Sequence, residues 1–318
     1  MRCRTTVGVV GLNYWGPNLA RNFADLGALS WLCDLDEERL AAAKARHPDA
    51  TATSSYDELL ASDVSGVVIA TAVPTHYPLA KQALEAGKHV FVEKPPAMRA
   101  TEIDELVDLA ADRDLVLMPG HLLLYHPGVH KLKELIDGGE LGDVLCVYGN
   151  RQNLGIVRAN ENALWSLGVH DLSVILHLLD EEPELATAQG SWSIHEGVED
   201  VVFCFLRFPS GKIAHMHLSW LDPHKMRKMT VVGREKMVVF DDMEPERKVT
   251  VYAKRVGPSG EVVSGDIHIP KIATAEPLRL ECQYFLELLL GKHDRFKVAR
   301  DGARVVRALE MLTNSLNG

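Results

Sequence analysis

Nowhere in the 318 residues does an uncharged apolar run approach the roughly 18 that a membrane-spanning helix needs. No membrane span is expected. The first apolar run, Val7–Val10, is too short for the core of a secretory signal and stops at Gly11, so a cytoplasmic protein is expected. Cysteine is scarce: Cys3, Cys33, Cys146, Cys204 and Cys282 are scattered, odd in number and never paired as CxxC. That pattern argues against a disulfide framework or a cysteine zinc site. Four of the five stand among apolar neighbours, as small buried residues do. Positive charge is in deficit as well. With 34 basic against 44 acidic residues the net charge is -10. This opposes non-specific binding to nucleic acid and leaves only a local basic pocket for an anionic ligand. Internal repeats and low-complexity stretches are missing.

What is present is ordinary globular material, 47% apolar and 25% charged, which excludes a disordered chain. The length exceeds what one core usually serves, so two domains are expected, 1–121 and 122–318. In the first, short apolar runs (Val7–Val10, Leu29–Cys33, Gly66–Ala70, His89–Val92, Leu115–Met118) alternate with helical stretches (Asn18–Leu26, Asp36–Arg46, Leu79–Ala86, Ala100–Asp112). Continuous apolar strands separated by helices indicate a parallel sheet covered on both faces, the doubly wound Rossmann arrangement.

After residue 121 the rhythm changes. A helix over His130–Ile136 ends at Asp137-Gly138-Gly139, a strand follows at Val144–Asn150, and another helix covers Leu167–Leu179. Longer strands are expected at Ala186–Ile194, Val201–Phe208, Ile213–Trp220, Lys228–Val232, Lys236–Phe240 and Lys248–Ala253, with helices again at Pro277–Leu290 and Gly302–Ser315. This reads as an α+β domain built on an open, largely antiparallel sheet.

Strand Val7–Val10 runs into Gly11-Leu12-Asn13-Tyr14-Trp15-Gly16. This is the G-x-G-x-x-G frame with Asn13 in place of the middle glycine. Gly11 permits the tight turn, Gly16 allows close helix–strand packing, and the following helix N-terminus faces a pyrophosphate. Asn tolerates left-handed backbone angles better than most residues. Asp34 ends the second strand 23 positions after Gly11, where a carboxylate accepts both ribose hydroxyls and repels a 2′-phosphate. The cofactor expected is therefore NAD rather than NADP. A helix cap for Asp36–Arg46 is the other role open to Asp34.

Glu93-Lys94-Pro95-Pro96 follows the strand His89–Val92, at the carboxyl edge where doubly wound sheets bind ligands. A partly desolvated lysine beside a cationic nicotinamide suits acid–base work. A surface Lys–Glu pair before a proline turn fits the same residues. His215 and His217 share one face of a strand, but no third ligand is evident, and no metal is expected.

Gly11-Leu-Asn-Tyr-Trp-Gly-Pro-Asn18, Ala70-Thr-Ala-Val-Pro-Thr-His76 and Glu85-Ala-Gly-Lys-His-Val-Phe-Val-Glu-Lys-Pro95 resemble the Gfo/Idh/MocA oxidoreductase family, as do Gly138-Gly-Glu-Leu-Gly142 and Gly168-Val-His-Asp171. The resemblance implies a Rossmann domain followed by an open-faced α/β domain. It makes Lys94 the catalytic lysine, with a Lys–Pro bond that is often cis, and His170 the histidine facing substrate and nicotinamide. Cofactor contacts then fall on Gly11, Asn13, Tyr14, Trp15, Gly16, Asp34, Thr71, Pro74, His76, Glu93 and Lys94. The family often carries Asp four residues before that histidine. Here the position is Ser166, which brings no negative charge, so the general base stays open between Lys94 and His170.

A narrower resemblance, to the branch acting on nucleotide sugars of the UDP-N-acetylglucosamine type, is carried by Gly120-His-Leu-Leu-Leu-Tyr-His-Pro127, Arg151-Gln-Asn-Leu-Gly155 with Arg158, and Leu164-Trp-Ser-Leu-Gly-Val-His-Asp171. Arg151 and Arg158 suit a diphosphate or carboxylate, Asn153 suits a sugar hydroxyl, and His121, Tyr125 and Ser166 complete the expected substrate set. The function expected is reversible hydride transfer between NAD and a secondary alcohol of a sugar. A non-catalytic NAD-binding regulator and a glycoside-cleaving enzyme with transient NAD oxidation are the alternatives. The open sheet suggests a homodimer or homotetramer.

Overall fold

The computed structural model describes residues 5–155, 157–159 and 161–317. Cys3 lies outside them. The chain divides into two compact units, one comprising 1–122 and 276–306, the other 123–275 and 307–318.

The first unit holds a six-stranded sheet among the described residues, in the order β3-β2-β1-β4-β5-β6 with every pairing parallel. Its strands are β1 (Val7–Val10), β2 (Leu29–Cys33), β3 (Thr51–Thr53), β4 (Gly66–Ile69), β5 (His89–Glu93) and β6 (Leu117–Gly120). Helices α1 (Gly16–Asp25), α2 (Glu37–Arg46), α3 (Tyr56–Ala61), α4 (His76–Glu85) and α5 (Ala100–Asp112) make the crossovers. Strands β1 and β4 are buried from end to end, as their unbroken apolar sequences require. Topology reverses between β1 and β4, and that switch point is where such sheets bind ligands.

In this unit two elements escape the periodicity reading, β3 and α3. The strand has three residues, too few to show a period, although Ser55-x-x-Glu58 is a readable helix start. Ser55 Oγ accepts from the Glu58 N–H at 3.2 Å. Strand β6 begins two residues later than expected. Asp114 takes a left-handed backbone (φ 53°) and the Leu115 N–H returns to Ala110 O at 2.8 Å, so both residues close α5. The shift sets Gly120 opposite Glu93 in the β5–β6 ladder.

The expected boundary near 121 holds only in part, because residues 276–306 return to the first unit. Helix α8 (Pro277–Leu289) buries Leu278, Cys282, Phe285 and Leu288 there. Phe285 meets Phe23 and Phe91 edge-on, with centroids 6.2 and 5.7 Å apart. An amphipathic helix has no address in its own sequence; the apolar surface it covers decides where it belongs.

The second unit carries an eight-stranded sheet among the described residues, in the order β14-β13-β12-β11-β7-β10-β9-β8. These are β7 (Val144–Gln152), β8 (Leu185–Ser191), β9 (Val201–Arg207), β10 (Ile213–Ser219), β11 (Met226–Gly233), β12 (Met237–Asp241), β13 (Val249–Val256) and β14 (Val262–His268). Only the β7–β10 pairing is parallel. Strand β14 is an exposed edge whose sequence gives no alternation to read. Helices α6 (Pro127–Asp137) and α7 (Val169–Leu179) pack in this unit, and α9 (Lys297–Leu316) closes the chain. A π-turn over Leu164–Gly168 precedes α7, so the regular helix starts two residues later than expected. No described helix is long and apolar enough to cross a membrane.

Candidate active site

The glycine turn has the form its sequence requires. Gly11 sits at φ 86°, and a Cβ there would lie 2.7 Å from Ala70 O. Gly16 is tighter, since a Cβ would fall 1.8 Å from Gly11 O. No side chain caps α1, whose N-cap is Trp15, so its first turn is open to an anion. Asn13 and Tyr14 are exposed at the tip, with Tyr14 stacked on Trp15 at 6.4 Å.

Asp34 is not the cap of α2. That role belongs to Asp36, which accepts from the N–H groups of Glu38 and Arg39. Asp34 instead accepts from Leu12 N–H at 2.5 Å and Asp36 N–H at 2.9 Å. The carboxylate is thereby locked against the glycine turn, and each oxygen keeps a lone pair for a ribose hydroxyl. A turn that only glycine fits, an uncapped helix start and a fixed carboxylate suit an adenine dinucleotide.

At the neighbouring strand ends, Pro74 is exposed and Thr71 Oγ1 shares a hydrogen bond with Thr75 Oγ1 at 2.6 Å. His76 is buried, its ring nitrogens 2.8 Å from Pro95 O and 3.0 Å from Thr71 O. The imidazole thus ties the end of β4 to the residue after Lys94. His76, expected to touch cofactor, has both ring nitrogens against backbone carbonyls. The Lys94–Pro95 bond is cis. Glu93 accepts from the Lys94 N–H at 3.3 Å and from Trp15. His121, just past β6, is buried, and neither ring nitrogen has a hydrogen-bond partner among the described residues. Burial, and then the positive charge of Lys94, push its imidazole down to about 4. At neutral pH it is uncharged, with one N–H and one lone pair unused.

In the second unit, Arg151 on β7 is not an open cation. Its guanidinium is 9% exposed and donates to Asp171 Oδ1 at 2.9 and 2.6 Å, a buried ion pair between β7 and α7. Sequence reasoning missed Asp171 as its partner. Arg158 is exposed, with Glu161 at 3.4 Å. Asn153 is half-buried and folds over Gly155. Tyr125 is buried in a single 3₁₀ turn, and Ser166 is buried in the π-turn. His126 caps α6 by accepting the Gly128 N–H and lies 3.4 Å from Asp242. His170 is half-buried in the first turn of α7, two residues past its N-cap Gly168. His215 and His217 stack on Tyr148 and Phe203 at 4.8 and 4.2 Å. Among the described residues no cluster of three or more His, Cys, Asp or Glu is placed to hold a metal ion.

A doubly wound parallel sheet with a glycine turn after β1 and a fixed carboxylate after β2 is the arrangement of a dinucleotide-binding Rossmann domain. Residues 5–121 match the oxidoreductase family with NAD-binding Rossmann fold (GFO_IDH_MocA), and residues 129–239 match the GFO/IDH/MocA C-terminal domain. The chain is 26% identical over 304 residues to UDP-N-acetylglucosamine 3-dehydrogenase of Acidithiobacillus ferrooxidans, covering 95% of this chain and 94% of that protein. A solved structure of that dehydrogenase superposes with TM-score 0.87 at 24% identity, covering 98% and 97% of the two chains. Inositol 2-dehydrogenase 2 of Paenarthrobacter aurescens is 31% identical over 228 residues, 67% of this chain and 68% of that protein. Among solved structures, GenD2 from gentamicin A biosynthesis in complex with NAD gives TM-score 0.83 at 26% identity, covering 99% and 94%. Some sequence alignments with curated relatives are shorter. One with an oxidoreductase of Streptococcus pneumoniae spans 65% of this chain and 60% of that protein. The chain belongs to the Gfo/Idh/MocA oxidoreductase family.

Proposed function

We propose that the chain transfers a hydride, reversibly, between NAD and a secondary alcohol of a sugar, with nucleotide sugars as the substrate class. The observation that carries this reading is the end of β5, where Lys94 stands beside the Glu93 that Trp15 of the glycine turn holds. When bound, NAD supplies the carbon that accepts or returns the hydride. Lys94, as the free amine, takes the hydroxyl proton as the carbonyl forms and returns it in reduction. His121 offers its unused N–H and lone pair to sugar hydroxyls. His170 is the alternative base, and Tyr125, Asn153 and Ser166 are polar contacts for the sugar. Arg158 is the cation for a diphosphate, whereas Arg151 is already neutralised.

The relatives that favour a sugar are a nucleotide-sugar dehydrogenase and an inositol dehydrogenase. Incubation with NAD and a panel of UDP- and dTDP-sugars, followed by absorbance of the reduced nicotinamide, tests the reading. Binding of NADH without turnover on any sugar identifies a regulator instead. Glycoside cleavage with tightly retained NAD and no net NADH identifies the third alternative.

Replacing Asp34 by Ser together with exposed Leu35 by Arg removes the repulsion to a 2′-phosphate and adds a cation for it. One charge-assisted hydrogen bond is worth about 1.5–3 kcal/mol, so the NADP/NAD preference should rise by about 10- to 100-fold. An unchanged ratio of kcat/KM for the two cofactors counts against the ribose assignment.

The second sheet supports self-association as a homodimer or homotetramer. Along β9 Val202, Cys204 and Leu206 are buried, while Phe203 (55% exposed) and Phe205 point the other way. Burying one Phe is worth about 1.5–3 kcal/mol. Phe203→Asp with Phe205→Asp should therefore weaken association by about 100-fold or more, read by light scattering across a dilution series. Equal molar mass for wild type and variant removes this face as the interface. Cys33, Cys146, Cys204 and Cys282 are all free thiols, which favours a reducing, cytoplasmic setting.

A further inference from the structure

One fully buried carboxyl has no part in the reading above. Glu281 on α8 is 0% exposed, and among the described residues neither Oε1 nor Oε2 has a hydrogen-bond partner. An ionised carboxylate in such a place is strongly disfavoured. Its neighbour follows from the packing. Phe91 and Glu93 are two apart on β5 and point to the same side of the sheet. Glu281 and Phe285 are four apart on α8 and share one helix face. The rings of Phe91 and Phe285 meet at 5.7 Å, and that contact draws the two carboxyls together. Gly120, opposite Glu93, leaves the space: a Cβ there would lie 3.2 Å from Phe91 and 3.3 Å from Glu93 Oε1.

Two carboxyls in one buried site share a proton, and the donors present decide which keeps it. Glu93 receives the Lys94 N–H and the Trp15 side chain, and stands next to the Lys94 ammonium. Glu281 receives no donor. We propose that Glu281 is a positioning residue that carries the single proton of a two-carboxyl pair, so that Glu93 remains the anion beside Lys94.

The electrostatics agree. Burial first, then the charge of Glu93, raises the Glu281 carboxyl well above the usual carboxylate range. Burial raises Glu93 too, and Lys94 with the two hydrogen bonds pulls it only part of the way back, to about 7. Around the pair, α1 brings Arg21, which is engaged at the surface by Glu276. On α8 itself the Cys282 thiol is pushed far up by burial and then by Glu281. His121 beyond β6 is neutral, and the charge of Asp301 on α9 reaches that ring. The outcome is one negative charge beside Lys94, not two. A second would bind the lysine proton more tightly and oppose the amine form, a consequence that rests on the role proposed for Lys94.

Infrared difference spectroscopy of wild type against Glu281→Gln, on the full chain at neutral pH, tests the proton directly. A buried protonated carboxyl C=O stretch, resolved above the amide I band, should be present in wild type and absent in the variant. Urea unfolding supplies the second readout. A group whose folded pKa is raised keeps its proton in the folded state after the unfolded chain has lost it. Its contribution is full below about pH 4.3 and falls as pH rises toward the folded pKa. The wild-type folding constant, relative to Glu281→Gln, should thus drop about tenfold per pH unit between about pH 5 and 7. No lost band, or parallel pH profiles, overturns the proposal. Should the variant not fold, wild type alone decides: absence of any protonated-carboxyl band at neutral pH overturns it equally. Neither readout uses turnover, so failure of the sugar-dehydrogenase reading leaves this result standing, and the reverse holds.

Discussion

Lys94→Ala should lower kcat/KM for the sugar by about 10²- to 10⁴-fold, the usual worth of a positioned acid–base group, while NADH binding changes by less than about threefold. At about 1.4 kcal/mol per tenfold, the loss corresponds to roughly 3–5 kcal/mol of transition-state stabilisation. The split follows from where the binding elements sit. The glycine turn and Asp34 are held by contacts of their own, Gly16 against Gly11 and Asp34 on the Leu12 N–H, and neither involves the lysine side chain. His76 still anchors Pro95, so the strand end keeps its path in the variant. A fluorescence titration with NADH beside steady-state kinetics separates the two effects. Full turnover by the variant would exclude Lys94 as the base and move that role to His170.

Arg151→Met should destabilise the fold by about 3–5 kcal/mol, the usual cost of removing one partner from a buried ion pair. At roughly 2–4 °C per kcal/mol for a domain of this size, the melting temperature falls by about 10 °C. Asp171 explains why the cost is high. Its Oδ1 loses both guanidinium hydrogen bonds, and its Oδ2 already has no partner among the described residues. Gly149 on β7 makes the approach possible, since a Cβ there would come within 2.9 Å of that Oδ2. Arg151→Met with Asp171→Leu removes both charges and should recover most of the loss. Denaturant melts of the two variants decide the matter. A double variant no more stable than the single one would show that shape, not the uncompensated charge, sets the cost. Asp171 directly follows His170 in the first turn of α7, so the single variant should also disturb any role of that histidine.

How legible a residue was depended on how local its interactions are. Gly11, Gly16 and Asp34 could be read because strand, turn and carboxylate lie within 30 residues and their spacing is itself the geometry. The place of Lys94 at the end of β5 could be read because three apolar residues and a proline mark where that strand stops. Arg151 could not. In sequence it is a cation near other polar residues, and only the packing of α7 on β7 brings Asp171 against it. Glu281 was equally opaque, an acidic residue on an amphipathic helix whose natural reading is a solvated face. His76 carried a motif but not its task, because its second partner, Pro95, lies in the loop beyond the end of another strand.

The sequence by itself determined the βα rhythm, the glycine turn and the carboxylate at the end of β2, since backbone preference and apolar period act over a few residues. Tertiary structure alone decided which charges are buried, which of them are paired, and to which unit α8 belongs. The reason is desolvation. The free energy of a charge depends on what packs over it, and at Arg151, Glu93 and Glu281 that cover comes from segments 20 to nearly 200 residues away.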